Sequence, residues 1–115
     1  MRRAKLGPPM RSPRRTAPPK VAWSDEEWAA IAKGHVSQEM EDKWDVFVFG
    51  TDVHFQRSWT GHAIYDCRFG RIDGAWRIVD VLVCGDESIY TGAPSEAGEA
   101  IRLESLIRNV LVHAQ

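Results

Sequence analysis

Cysteine is scarce in this 115-residue sequence, and the two present, Cys67 and Cys84, fall in no CxxC pair. The four histidines form neither HxxxH nor HExxH, the spacings that bring two ligands to one ion from one element. No metal site and no cofactor are therefore expected. Phosphate loops of the type GxGxxG or GxxxxGK[ST] are missing as well. No stretch approaches 18 consecutive apolar residues, so no transmembrane helix is expected and no membrane partner. An apolar export segment is lacking near residue 1, which points to the reducing cytoplasm, where two thiols stay free.

Acidic residues are absent from positions 1–20, while seven basic ones are present: Arg2, Arg3, Lys5, Arg11, Arg14, Arg15 and Lys20. Five of the six prolines fall in the same segment. With little to bury, such a stretch does not offset the entropy of ordering, and 1–20 reads as a disordered basic arm. Residues 21–115 carry sixteen acids against eight basic groups and read as a single acidic domain.

That domain announces its elements by local chemistry. In "WSDEEWAAIAKG", Ser24 and Glu27 make a capping box, Trp23 and Trp28 a hydrophobic staple, and Gly34 a stop, which predicts a helix over about 25–33 with Trp28, Ile31 and Ala32 inward. The polar segment 35–42 reads as loop. A type II′ turn at Gly50 sets Phe49 opposite Asp52 and Trp44 opposite Arg57. A type I′ turn at Asp73-Gly74 sets Ile72 opposite Ala75, Phe69 opposite Ile78 and Tyr65 opposite Leu82. Ser95 caps a final amphipathic helix whose apolar residues include Ala97, Ala100, Ile101, Leu103, Leu106, Ile107, Val110 and Leu111. The expected fold is α+β: an N-terminal helix, a four-stranded antiparallel meander of two hairpins, and a C-terminal helix packed on one sheet face.

Chemistry-bearing residues concentrate in "FQRSWTGHAIYDC". Ser58, His62 and Asp66 imitate a hydrolase triad, but four residues of strand separate His62 and Asp66 by about 13 Å, too far for the required hydrogen bond. In the same register Cys84 faces Ala63, four residues along from Cys67, and about 13 Å is beyond disulfide reach. The acidic run Glu39, Glu41, Asp42 and Asp45 follows no EF-hand pattern and reads as a solvated face. Asp80, expected opposite Cys67 on an apolar face, needs a donor there.

Arg57 has two readings. Stacked on Trp44 it is a structural latch at a sheet end. Alternatively Lys43, Trp44, Arg57, Trp59, Thr60 and Tyr65 surround one concave edge and hold an anion such as a phosphate or carboxylate.

"MEDKWDVF" followed by "VHFQRSWTGHAIY" resembles a group of small bacterial proteins that carry EDKW and HRSWTG…IY segments and have no established activity. The resemblance covers residues 40–65 and, loosely, the terminal helix. Glu41, Asp42, Lys43, Trp44, Arg57, Ser58, Trp59, Thr60, Gly61 and Tyr65 match. Gln56 departs, standing where the group has histidine; if that histidine is a catalytic base, this chain lacks it. Some members of the group look like partners of ADP-ribosylglycohydrolase-type proteins. The expected function is that of a binding or accessory module for a small anionic, nucleotide-like ligand or a protein partner. A small enzyme acting on a nucleotide or ADP-ribose-like ligand is the second reading, for which no complete acid–base pair is seen. Weak, salt-dependent contact of residues 1–20 with nucleic acid is the third.

Overall fold

In the computed structural model, which describes residues 5–113, Gly50 (φ 63°) and the Asp73–Gly74 pair (φ 51° and 79°) bend the chain into two hairpins. The first joins β2 (Trp44–Phe49) to β3 (Asp52–Arg57), with Phe49 opposite Asp52 and Trp44 opposite Arg57 as the turn chemistry requires. The second joins β4 (Ala63–Ile72) to β5 (Ala75–Cys84). A further short strand, β1 (Pro13–Thr16), pairs antiparallel with β5, so the sheet is five-stranded in the order β1-β5-β4-β3-β2.

Two helices close one sheet face. Helix α1 (Asp25–Ala32) begins in the capping box read from the sequence: Glu27 N–H donates to Ser24 Oγ at 3.0 Å and Ser24 N–H to Glu27 Oε1 at 2.8 Å. Such a cap contributes about 1 kcal/mol. Helix α2 (Glu96–Ile107) is capped by Ser95, and its continuation Arg108–Val112 widens to i→i+5 bonding, His113 N–H donating to Arg108 O. Ile31, Leu103, Ile107 and Leu111 pack with Val46, Val53, Phe55, Tyr65, Phe69, Val81 and Val83 in one hydrophobic core. Trp28, packed against the core that contains Trp23, stacks on Trp76 at 4.5 Å and tilts against Phe69.

Three expectations need correction. Over residues 5–20 the arm is not disordered, because its backbone supplies what its side chains lack. Strand β1 occupies the open edge of β5, Gly85 N–H donates to Ser12 O, and Arg15 grips Asp80 at 2.8 Å. Pro13 sits at the first position of β1, where a proline is tolerated. Residues 1–4 of the expected arm lie outside the described residues. The fold is thus five-stranded, and its boundary precedes residue 21.

The second correction is register. Ile72 faces Ala75 and Phe69 faces Ile78 as expected, but a bulge between Arg68 and Phe69 puts Val79 in as an extra residue. Beyond it Tyr65 faces Val83 rather than Leu82, and Asp80 faces Arg68 rather than Cys67. A one-residue shift flips every later side chain. Val81 and Val83 therefore enter the core, while Asp80 lies on the other face, where the Arg15 guanidinium holds its carboxyl below the usual range.

Third, the inward stripes of the helices are narrower than expected. Ala32 is exposed, and Ile101 keeps 67% of its surface. Glu99, in contrast, is buried on the stripe of Leu103, Ile107 and Leu111.

Candidate anion site at the β2–β3 end

The turn at Gly50 fixes Arg57 across from Trp44, and the guanidinium carbon lies 4.3 Å from the centroid of the indole. Trp44 is itself braced edge-on by Phe55 at 6.3 Å. After Arg57 the chain reverses tightly: Gly61 N–H donates to Arg57 O, Arg57 N–H to His62 O, and Gly61 takes the left-handed conformation at φ 77°.

Segment 37–43 is tied to this reversal by three bonds. Ser58 N–H donates to Lys43 O at 2.9 Å, Ser58 Oγ to Asp42 O at 2.8 Å, and Trp59 Nε1 to Met40 O at 3.1 Å. The acidic run stiffens the same segment: Asp42 pairs with His35 at 2.6 Å, and fully buried Asp45 accepts from Ser37 N–H. Among the described residues no His, Cys, Asp and Glu side chains group into a metal-binding set.

Between these loops and residues 88–89 opens a cavity of about 580 Å³, lined by Met40, Lys43, Arg57, Trp59, Thr60, His62, Ser88 and Ile89. No carboxylate is among the lining residues. Neither Lys43 nor Arg57 forms an ion pair among the described residues. Trp59 exposes 69% of its surface and Met40 73%, so the rim offers a flat aromatic and a flexible thioether to solvent.

Of the six residues expected at the site, Lys43, Arg57, Trp59 and Thr60 line this cavity. Trp44 stands behind it as the platform under Arg57. Tyr65 does not belong there. It is buried on the helix side, its hydroxyl donating to Glu99 Oε2, and burial together with that carboxylate pushes its pKa well up. Met40, His62, Ser88 and Ile89 were not expected as lining. Ser88 and Ile89 arrive from the loop after β5, ordered by Asp86, which accepts from Ser88 Oγ and N–H and is thereby held below its usual pKa.

The imitation triad does not assemble, because Asp66 is engaged by His54 Nδ1, directly across the β3–β4 pair. Gln56, the departure from the resembled pattern, is buried and holds the N-terminal segment: its Oε1 accepts from Gly7 N–H and its Nε2 donates to Lys5 O, both at 2.8 Å. An amide offers acceptor and donor side by side, as a backbone unit does.

No protein-family model, curated protein or solved structure matches the chain.

Proposed function

We propose that the protein is a binding or accessory module for a small anionic, nucleotide-like ligand held in the Arg57–Trp59 cavity. The observation that carries this reading is the convergence of Lys43 and Arg57, without ion-pair partners among the described residues, on a cavity free of lining carboxylates and rimmed by an exposed indole. Two cations suit a phosphate, and Trp59 suits a planar base, for which stacking contributes about 1–3 kcal/mol. The stack on Trp44 fixes the Arg57 plane, so less freedom is lost when its donors meet an anion. The absent carboxylates favour binding over acid–base catalysis on a nucleotide or ADP-ribose-like substrate. Nucleic-acid binding through the basic arm is the weaker alternative, because Arg11, Arg14 and Arg15 face Asp86, Glu99 and Asp80.

Titration with adenosine monophosphate, adenosine and inorganic phosphate, read by tryptophan fluorescence and thermal shift, tests the assignment. The nucleotide should bind about tenfold or more tighter than adenosine, and Arg57→Lys should remove most of that difference. Equal affinity for nucleotide and nucleoside, or no response to any of the three, would refute it.

A further inference from the structure

Residues 6–10 cross the sheet face that the helices leave open, and beneath them lies a second cavity of about 530 Å³. Its size falls within the roughly 300–1,000 Å³ of small-molecule sites. Leu6, Pro9, Met10, Phe49 and Leu82 give it an apolar lining, and His54 supplies the one imidazole.

His54 is in an unusual position. Its Nδ1 lies 2.5 Å from Asp66 Oδ1, and a carboxylate only accepts, so Nδ1 donates there and Nε2 is the ring nitrogen left to bond elsewhere. That Nε2 is buried and has no hydrogen-bond partner among the described residues. Buried polar atoms are nearly always satisfied, and an exception calls for the partner that is missing.

The surrounding charges specify the partner. Asp66 is taken by His54, Asp52 by Arg68 at 2.9 Å and Asp80 by Arg15 at 2.8 Å. An anion would meet three carboxylates, and a cation would find Asp52 and Asp80 already paired with guanidinium groups and Asp66 already hydrogen-bonded to His54. We infer that this cavity is a second ligand site, for a neutral and mainly apolar molecule whose single hydroxyl hydrogen-bonds with His54 Nε2. Nε2 is buried, so a ligand reaches it only as the lining moves, and residues 5–7, held by the two Gln56 bonds, are the segment assigned to that movement.

Phenol and toluene are the probes, added to the full chain while the histidine ring nitrogens are followed by nitrogen-15 NMR. Phenol should shift the His54 Nε2 resonance saturably and bind at least about fivefold tighter than toluene, the worth of one hydrogen bond. Leu82→Trp, which fills the cavity from the position across from Asp66, should weaken phenol by about tenfold or more while the variant keeps the parent's His54 Nδ1 resonance and still melts cooperatively. Gln56→Ala should speed exchange between free and bound forms. Equal affinity for phenol and toluene, a phenol response that survives Leu82→Trp, or no saturable shift in either the parent or Gln56→Ala would overturn the inference.

Discussion

Tyr65→Phe removes one oxygen atom from the interior and leaves the ring in place. In the parent, Glu99 is 2% exposed, and its Oε2 accepts from Tyr65 at 2.5 Å and Tyr90 at 2.6 Å while Oε1 accepts from Ala93 N–H at 3.2 Å. Arg102 Nη1 in turn donates to Tyr90 OH at 3.1 Å and to Thr91 O. Burial alone would raise the Glu99 pKa, yet the two hydroxyls and the Ala93 amide outweigh it and hold the carboxyl below its usual value. The variant loses the charged hydrogen bond to Glu99 and the 2.9 Å contact between the Tyr65 and Tyr90 hydroxyls; a charged hydrogen bond contributes about 1.5–3 kcal/mol, so the loss at neutral pH should be about 2 kcal/mol or more. For a domain of this size that is a fall in Tm of roughly 5–12 °C, measured by differential scanning calorimetry.

The pH dependence separates this mechanism from simple loss of a polar contact. A depressed folded pKa gives stability that is present above the unfolded value and is lost as pH falls through the folded one. In the variant one of the groups that offsets burial is gone, so the folded pKa rises from its depressed value and less stability is lost in acid. The gap between parent and variant should therefore be widest near pH 7 and shrink below about pH 4.5. A loss under 0.5 kcal/mol at pH 7, or one that stays constant into acid, would show that Glu99 is not sustained by these hydroxyls.

Two further outcomes are expected. A double-mutant cycle of Arg57→Lys with Trp44→Leu, read by urea denaturation, should give a coupling of about 0.5 kcal/mol or more, because lysine loses the planar stack; zero coupling would dismiss the latch. Deleting residues 1–16 removes β1 and opens the edge of β5, so the truncated chain should show faster amide hydrogen exchange at Val81–Cys84 and a lower urea midpoint; unchanged protection would mean that β1 adds nothing to the sheet.

The hairpins and both helix starts were legible because their signals are local. Gly50, Asp73-Gly74, Ser24 with Glu27, and Ser95 each act within four residues. The arm was not legible for a different reason. Composition measures what side chains bury, whereas β1 is held by backbone pairing and by Arg15–Asp80, whose partner is 65 residues away. Gln56 belongs to the same class, since its value lies in bonds to Lys5 and Gly7 across about fifty positions. Glu99 was legible in principle: steps of four from Leu103, Ile107 and Leu111 place it on the buried stripe, but a carboxylate there reads as a helix-dipole partner unless Tyr65 and Tyr90 are known to meet it.

The candidate site divides along the same line. Lys43, Arg57, Trp59 and Thr60 follow from the first hairpin and the reversal after it, where turn chemistry fixes position. Ser88 and Ile89 depend on where β5 ends and which way its last residues face, and that is set by Val79, the extra residue opposite Arg68 and Phe69. Without this insertion the residues after it would exchange faces, sending Asp80 and Leu82 toward the helices and Val81 and Val83 away from them. Arg15 would then lose its carboxylate, and the loop bearing Ser88 and Ile89 would leave the strand with its faces reversed. A bulge carries no residue signature of its own at Arg68, Phe69 or Val79; its effect is to keep Asp80 off the apolar face, where a carboxylate would need a donor. The shift thus resolves the charge that looked misplaced in the sequence, placing Asp80 beside Arg15, and the same shift sets the face from which the chain leaves β5 toward Ser88 and Ile89.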